Sequence, residues 1–176
     1  MTDESVSILV VDDEPMMRLL ARESLEAAGF QVAEAADGSE ALEACRDQQP
    51  RIVLLDVNMP RMDGFEACRR LRDSAFGRHT PILMMTALED LESIRRSYEV
   101  GATDFVSKPI NWLILAQRVE YMLRASRTAD DLRLSQARLA DAQRIARLGY
   151  WELYPGSRRL HCSRLLGSIL GRDDGQ

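Results

Sequence analysis

Lysine is almost missing from this chain: Lys108 stands alone among 176 residues, and the other 22 basic side chains are all arginine. Arginine offers a rigid planar fork for bidentate pairing, whereas lysine offers a compact, mobile ammonium that meets a carboxylate or phosphoryl oxygen as a point charge. A lone lysine marks a position where that difference matters. Cysteine is scarce as well. Cys45, Cys68 and Cys162 form no Cys-x-x-Cys pair, and His79 and His161 are the only further soft ligands, so neither a zinc site nor a disulfide framework is indicated. Cys45 and Cys68 fall inside helical patterns, where a free thiol behaves as a small hydrophobe. No apolar run reaches the ~20 residues of a membrane span. The polar start Met1-Thr2-Asp3-Glu4-Ser5 is unlike a signal peptide, and a cytoplasmic protein without a membrane partner is expected. Positive charge is short too: residues 1–124 carry 22 acids against 14 bases, while residues 125–176 carry 6 against 9. The arginines of the second part are scattered and form no recognition element, so nucleic acid is not an expected partner.

What is present is a repeated alternation. Ser7-Ile8-Leu9-Val10-Val11 is a short, continuous apolar run rich in β-branched residues, the mark of a strand buried on both faces. Similar runs follow at Gln31-Val32-Ala33-Glu34-Ala35, Ile52-Val53-Leu54-Leu55, Pro81-Ile82-Leu83-Met84-Met85 and Thr103-Asp104-Phe105-Val106. Helical spacing lies between them. Leu20, Ala21, Leu25 and Ala28 mark the first helix, closed by Gly29; Ala41, Leu42 and Cys45 the second; Phe65, Cys68 and Leu71 the third. Leu91, Ile94 and Tyr98 mark a fourth, closed by Gly101, and a fifth begins near Asn111. Strands alternating with helices predict an α/β protein with a doubly wound parallel sheet. Such a sheet binds ligands in the crevice beyond the carboxyl ends of its strands.

Four polar stations fall at those ends: Asp12-Asp13, Asp56, Thr86 and Lys108. Each has an ordinary explanation alone. Asp12-Asp13-Glu14-Pro15 can simply open a helix, Thr86 can cap one, and Lys108-Pro109 can be a turn. Asp56 is harder to dismiss, because a carboxylate directly after a buried strand is costly without a cation or hydrogen bonds. Together the four describe a magnesium-assisted acyl-phosphate site. Asp12, Asp13 and Asp56 are hard oxygen ligands for Mg²⁺, and Asp56 is the nucleophile, since phosphoryl transfer depends mainly on positioning and charge neutralisation. Lys108 neutralises phosphoryl oxygens, and the Thr86 hydroxyl donates a hydrogen bond to one of them.

With these motifs in order, residues 5 to about 124 resemble a response-regulator receiver domain of two-component signalling. The resemblance rests on Asp12-Asp13, on Asp56 followed by Met59-Pro60-Arg61-Met62-Asp63-Gly64, on Thr86-Ala87 and on Lys108-Pro109. It implies a flavodoxin-like, five-stranded sheet in the order 2-1-3-4-5. It also implies phosphorylation of Asp56 by a histidine kinase or phosphotransfer protein, the main-chain carbonyl of Asn58 as a further Mg²⁺ ligand, and a cis peptide at Lys108-Pro109. Phe105 stands at the family's aromatic switch position, where a ring turns inward as the threonine moves toward phosphate; a plain core aromatic is the alternative. A receiver of this kind catalyses its own Mg²⁺-dependent phosphorylation and dephosphorylation.

Residues 125–147 continue the last helix without proline or glycine and are expected to be a helical linker. Met122, Ala125, Ala129, Leu132, Gln136, Leu139, Gln143 and Ala146 follow alternating three- and four-residue steps, the seam of a coiled coil and of a homodimer. Two glutamines and three alanines make the seam thin, and a solvated single helix is the alternative. Residues 148–176 resemble the opening of a PAS domain: a hairpin around Pro155-Gly156-Ser157, then a helix from Ser163 to Gly171. The order receiver, linker, PAS resembles cyclic-di-GMP turnover proteins, with hybrid sensor histidine kinases as the alternative; any such output enzyme lies outside these residues. Two other classes stand against a signalling switch. One is a hydrolase working through a phosphoaspartate, which lacks its Asp-x-Asp pair here; the other is an interaction module that is never phosphorylated.

Overall fold

The computed structural model describes residues 7–86, 91–146, 151–154, 159–162 and 166. Five strands, β1 (Ser7–Val11), β2 (Gln31–Ala35), β3 (Ile52–Asp56), β4 (Ile82–Thr86) and β5 (Asp104–Ser107), alternate with five helices. The helices are α1 (Pro15–Ala27), α2 (Gly38–Gln48), α3 (Gly64–Asp73), α4 (Leu91–Glu99) and α5 (Trp112–Ile145). All pairings in this sheet are parallel and the strand order is β2-β1-β3-β4-β5, as the family resemblance implied. β3 and β4 run one residue further than their apolar runs, so that Asp56 and Thr86 are the last residues of strands rather than the first of loops.

The continuous apolar runs follow from burial on both faces. Alternate residues of one strand enter opposite cores: Leu9, Val11, Val53, Leu55 and Met84 pack with Ala41, Cys45, Phe65 and Leu71 of α2 and α3. Ile8, Val10, Ile52, Leu54, Leu83 and Met85 pack on the other side with Leu25 of α1 and Leu115, Val119 and Met122 of α5. Local signals set the ends of the elements. Pro15 opens α1, where its missing N–H costs nothing. Asp37 caps α2 by accepting from the N–H groups of Ser39 and Glu40, and Asp63 caps α3 by accepting from that of Glu66. Gly29 and Gly101 leave α1 and α4 with positive φ, the role expected of them.

The chain divides into two compact units, Met1–Ser126 and Arg127–Gln176. The first contains the sheet. Met122, expected to open the linker seam, is buried in this unit's own core, because the apolar face of α5 still packs on the sheet there. Among the seam's later residues, Leu132 and Leu139 are exposed. In the second unit β6 (Trp151–Tyr154) and β7 (Arg159–Cys162) form an antiparallel pair with Trp151 opposite Cys162 and Leu153 opposite Leu160. The expected turn at Pro155-Gly156-Ser157 and, apart from Leu166, the expected helix from Ser163 to Gly171 lie outside the described residues. Among the described residues no helix is long and apolar enough to cross a membrane.

Candidate functional site

The carboxyl ends of β1, β3, β4 and β5 meet at one edge of the sheet, and the polar stations arrive there together. Asp12 and Asp56 are buried while Asp13 is exposed, and one oxygen from each of the three carboxylates lies within 4.8 Å of the others. Lys108 Nζ stands between two of them, 2.9 Å from Asp12 Oδ2 and 2.9 Å from Asp56 Oδ1. The ammonium is carried on a main chain that is itself fixed. The Lys108 N–H donates to the Thr86 carbonyl at 2.7 Å, continuing the β4–β5 ladder in which Thr86 faces Ser107. The Lys108–Pro109 peptide is cis, as expected.

Thr86 is fully buried at the end of β4, and Asn58 is exposed in the loop two residues beyond Asp56. Phe105 lies back along β5, opposite Met84, and does not join the carboxylates. It is half-buried against the core, and its ring meets Tyr98 of α4 edge-on, centroids 6.0 Å apart at 88°.

Charge at the site is unbalanced toward the negative. Burial pushes the Asp56 carboxyl above the usual aspartate range; Lys108 pulls it back down, and Asp12 and Asp13 push it up again. Burial would lower the Lys108 ammonium, but its bonds to Asp12 and Asp56 outweigh this and hold it above the ordinary lysine value. Three carboxylates against one ammonium leave room for a further cation. The donors are all hard oxygen, two buried and one open to water, which is the set that suits Mg²⁺.

Several supporting residues lie outside the four polar stations. Gly64 opens α3 directly under the site, where a Cβ would stand 2.1 Å from the Asp56 carbonyl oxygen. Its signal was its place at the end of the stretch 59–64 that follows Asp56. Arg61, at φ 68°, forms an ion pair with the buried Asp37, and Met62 packs where a Cβ on Gly38 would come within 2.8 Å. The loop after β3 is thereby tied to the start of α2. Arg72 donates to the carbonyls of Gly77, Thr80 and Gly101, each at 2.7 Å, and braces the connections before β4 and β5. Nothing in its spacing distinguishes Arg72 from surface arginines, whereas Arg61 falls inside the stretch 59–64.

The family model for the response regulator receiver domain matches residues 8–120. The response regulator PleD of Caulobacter vibrioides is 42% identical over 134 residues, which are 76% of this chain and 29% of PleD. Much of that relative's length therefore has no counterpart here. Among solved structures, the chemotaxis response regulator CheY4 of Vibrio cholerae is 35% identical with a TM-score of 0.64, covering 66% of this chain and 98% of CheY4. The signal receiver domain of a signal transduction histidine kinase from Syntrophus aciditrophicus is 34% identical with a TM-score of 0.65, covering 69% and 92%.

Proposed function

Because this chain belongs to the response regulator receiver domain family, we propose that Asp56 accepts a phosphoryl group from the phosphohistidine of a histidine kinase or phosphotransfer protein. The observation that carries this reading is the Lys108 ammonium held 2.9 Å from both Asp56 and Asp12 at a strand edge. In the transfer an Asp56 carboxylate oxygen forms the new bond to phosphorus as the bond from phosphorus to the histidine nitrogen breaks, and the imidazole leaves with the electron pair. The carboxylate attacks as the anion paired with the Lys108 ammonium, so no general base is needed. Asp12, Asp13 and Asp56, with the main-chain carbonyl of Asn58, would hold Mg²⁺, which supplies positive charge against the phosphoryl oxygens. Lys108 can exchange its bond to Asp56 for one to the phosphoryl group while keeping its bond to Asp12. The Thr86 hydroxyl donates to another phosphoryl oxygen, and Phe105 responds to that movement by repacking.

The test is acid-labile labelling from acetyl phosphate. Wild-type protein takes up label only with Mg²⁺, and Asp56→Asn takes up none. Label retained by that variant at the wild-type rate removes Asp56 from the reaction. Rapid continuous release of phosphate would favour the hydrolase instead, and failure of the wild type to bind Mg²⁺ the unphosphorylated module.

The rest of the chain is read as a relay. Residues 125–147 form a coiled-coil linker of a homodimer, residues 148–176 begin a PAS domain, and the signal passes to an output concerned with cyclic-di-GMP turnover in the cytoplasm. The helical run after Met122 and the β6–β7 pair support this order. The likeness to the receiver of a histidine kinase favours a second reading, a hybrid sensor kinase.

A further inference from the structure

The carboxylates of Asp12 and Asp13 reach the site from a connection of only three residues, Asp12 to Glu14, between β1 and α1. Its own ties are modest. The Asp12 N–H donates to the Ala35 carbonyl at 3.3 Å, and the Glu14 N–H donates to Asp12 Oδ1 at 2.9 Å. Beside the Lys108 ion pair to the Asp12 carboxylate, a main-chain anchor comes from α1. Arg18 Nη1 donates to the Asp12 carbonyl at 2.7 Å while its Nε donates to Glu34 Oε2 on β2 at 3.2 Å. Glu34 is held in turn by Arg22, 2.8 Å from its other oxygen. The Arg18 side chain is 16% exposed, so this bridge is largely shielded from competing water.

We propose that Arg18 is a positioning residue for the Mg²⁺ site, its two-armed bridge from Glu34 to the Asp12 carbonyl holding the β1–α1 connection so that Asp12 and Asp13 present their carboxylates together. The inference rests on the metal reading given above. A rigid planar fork holds a carboxylate and a carbonyl in fixed relative directions, which the rotatable donors of an ammonium on a flexible stem do not. A connection fixed before the metal arrives need not be ordered by it, and residues that orient metal ligands commonly set affinity in this way. Charge alone makes the opposite forecast. A guanidinium near the site repels Mg²⁺, so its removal would tighten binding if electrostatics dominated.

The sign of the change therefore decides. Mg²⁺ affinity is measured by calorimetry on the full chain, with far-ultraviolet circular dichroism and thermal midpoint as checks of the fold. Arg18→Gln is expected to weaken Mg²⁺ by about tenfold. Arg18→Lys, which keeps the charge but loses one arm, is expected to weaken it as well, and Glu34→Gln to a smaller degree. In metal-free protein the Glu14 amide should exchange with solvent faster in all three. Unchanged or tighter Mg²⁺ binding by folded Arg18→Gln overturns the proposal. Should that variant not fold, unchanged affinity in Glu34→Gln overturns it instead. Asp13→Asn separates the two readings: if it binds Mg²⁺ like the wild type, the metal reading falls and this inference with it, whereas lost binding there beside wild-type binding in the Arg18 variants sinks this inference alone.

Discussion

Lys108 bridges two carboxylates that belong to different strand ends, and the bridge depends on the small size of an ammonium. A guanidinium at the same place would pair side-on with one carboxylate and crowd the other. Lys108→Arg keeps the charge, so a purely electrostatic role would tolerate it. We expect the variant to fold with an unchanged midpoint and to respond to beryllofluoride or acetyl phosphate at least about tenfold less well. A wild-type response from the arginine variant would show that the lone lysine has no special geometry. This residue was legible in the sequence because its scarcity and its place after an apolar run coincided. Arg18 was not legible, because 22 arginines give no local signal of which one bridges a loop to a strand.

At the scale of elements, the strand runs and helix stops read correctly because each rests on local chemistry. Buried parallel strands need apolar side chains on both faces, and helix ends need caps or a left-handed residue. Both constraints are written in neighbouring residues. Close approach between elements is not, and Gly64 is the example. Its missing side chain lets the first turn of α3 lie against the Asp56 carbonyl. Gly64→Ala forces either α3 or the end of β3 to move, and both are backbone. We expect a loss of about 3 kcal/mol, at the upper end of overpacking effects, seen as a drop of roughly 10 °C in the thermal midpoint. Gly29 provides the comparison, since a Cβ there meets nothing within 4 Å and only the backbone at φ +89° resists. Gly29→Ala should cost about 1 kcal/mol. Equal losses at the two positions would contradict the steric argument.

For the whole molecule the open question is assembly. The exposed leucines of the later part of α5, Leu132 and Leu139, are seven residues apart, one heptad, and the core of the first unit ends near Leu123. The proposed seam would therefore start after Met122 and be one layer shorter than its spacing promised, which would place more weight on the two leucine layers. We expect light scattering to find a dimer at micromolar concentration, and both truncation near Arg124 and the pair Leu132→Asp with Leu139→Asp to shift it toward monomer. A control ending before Gly149 excludes association through the exposed Trp151. A dimer untouched by either change would take the linker out of the relay. The extent of the second unit was only partly legible, because the residues around two short strands carry no closed pattern of core residues to read.

The solitary ammonium also makes the candidate site chemically addressable. Across these 176 residues an amine-directed acylating reagent has one side chain to find, and that side chain is held protonated between two carboxylates, where it is a poor nucleophile. Acylation of Lys108 thus proceeds only as fast as the ammonium is released from its partners. Any ligand that loosens or tightens that hold is reported by the mass increment on the Lys108 peptide, which digestion separates from the acylated α-amine, with no engineered label.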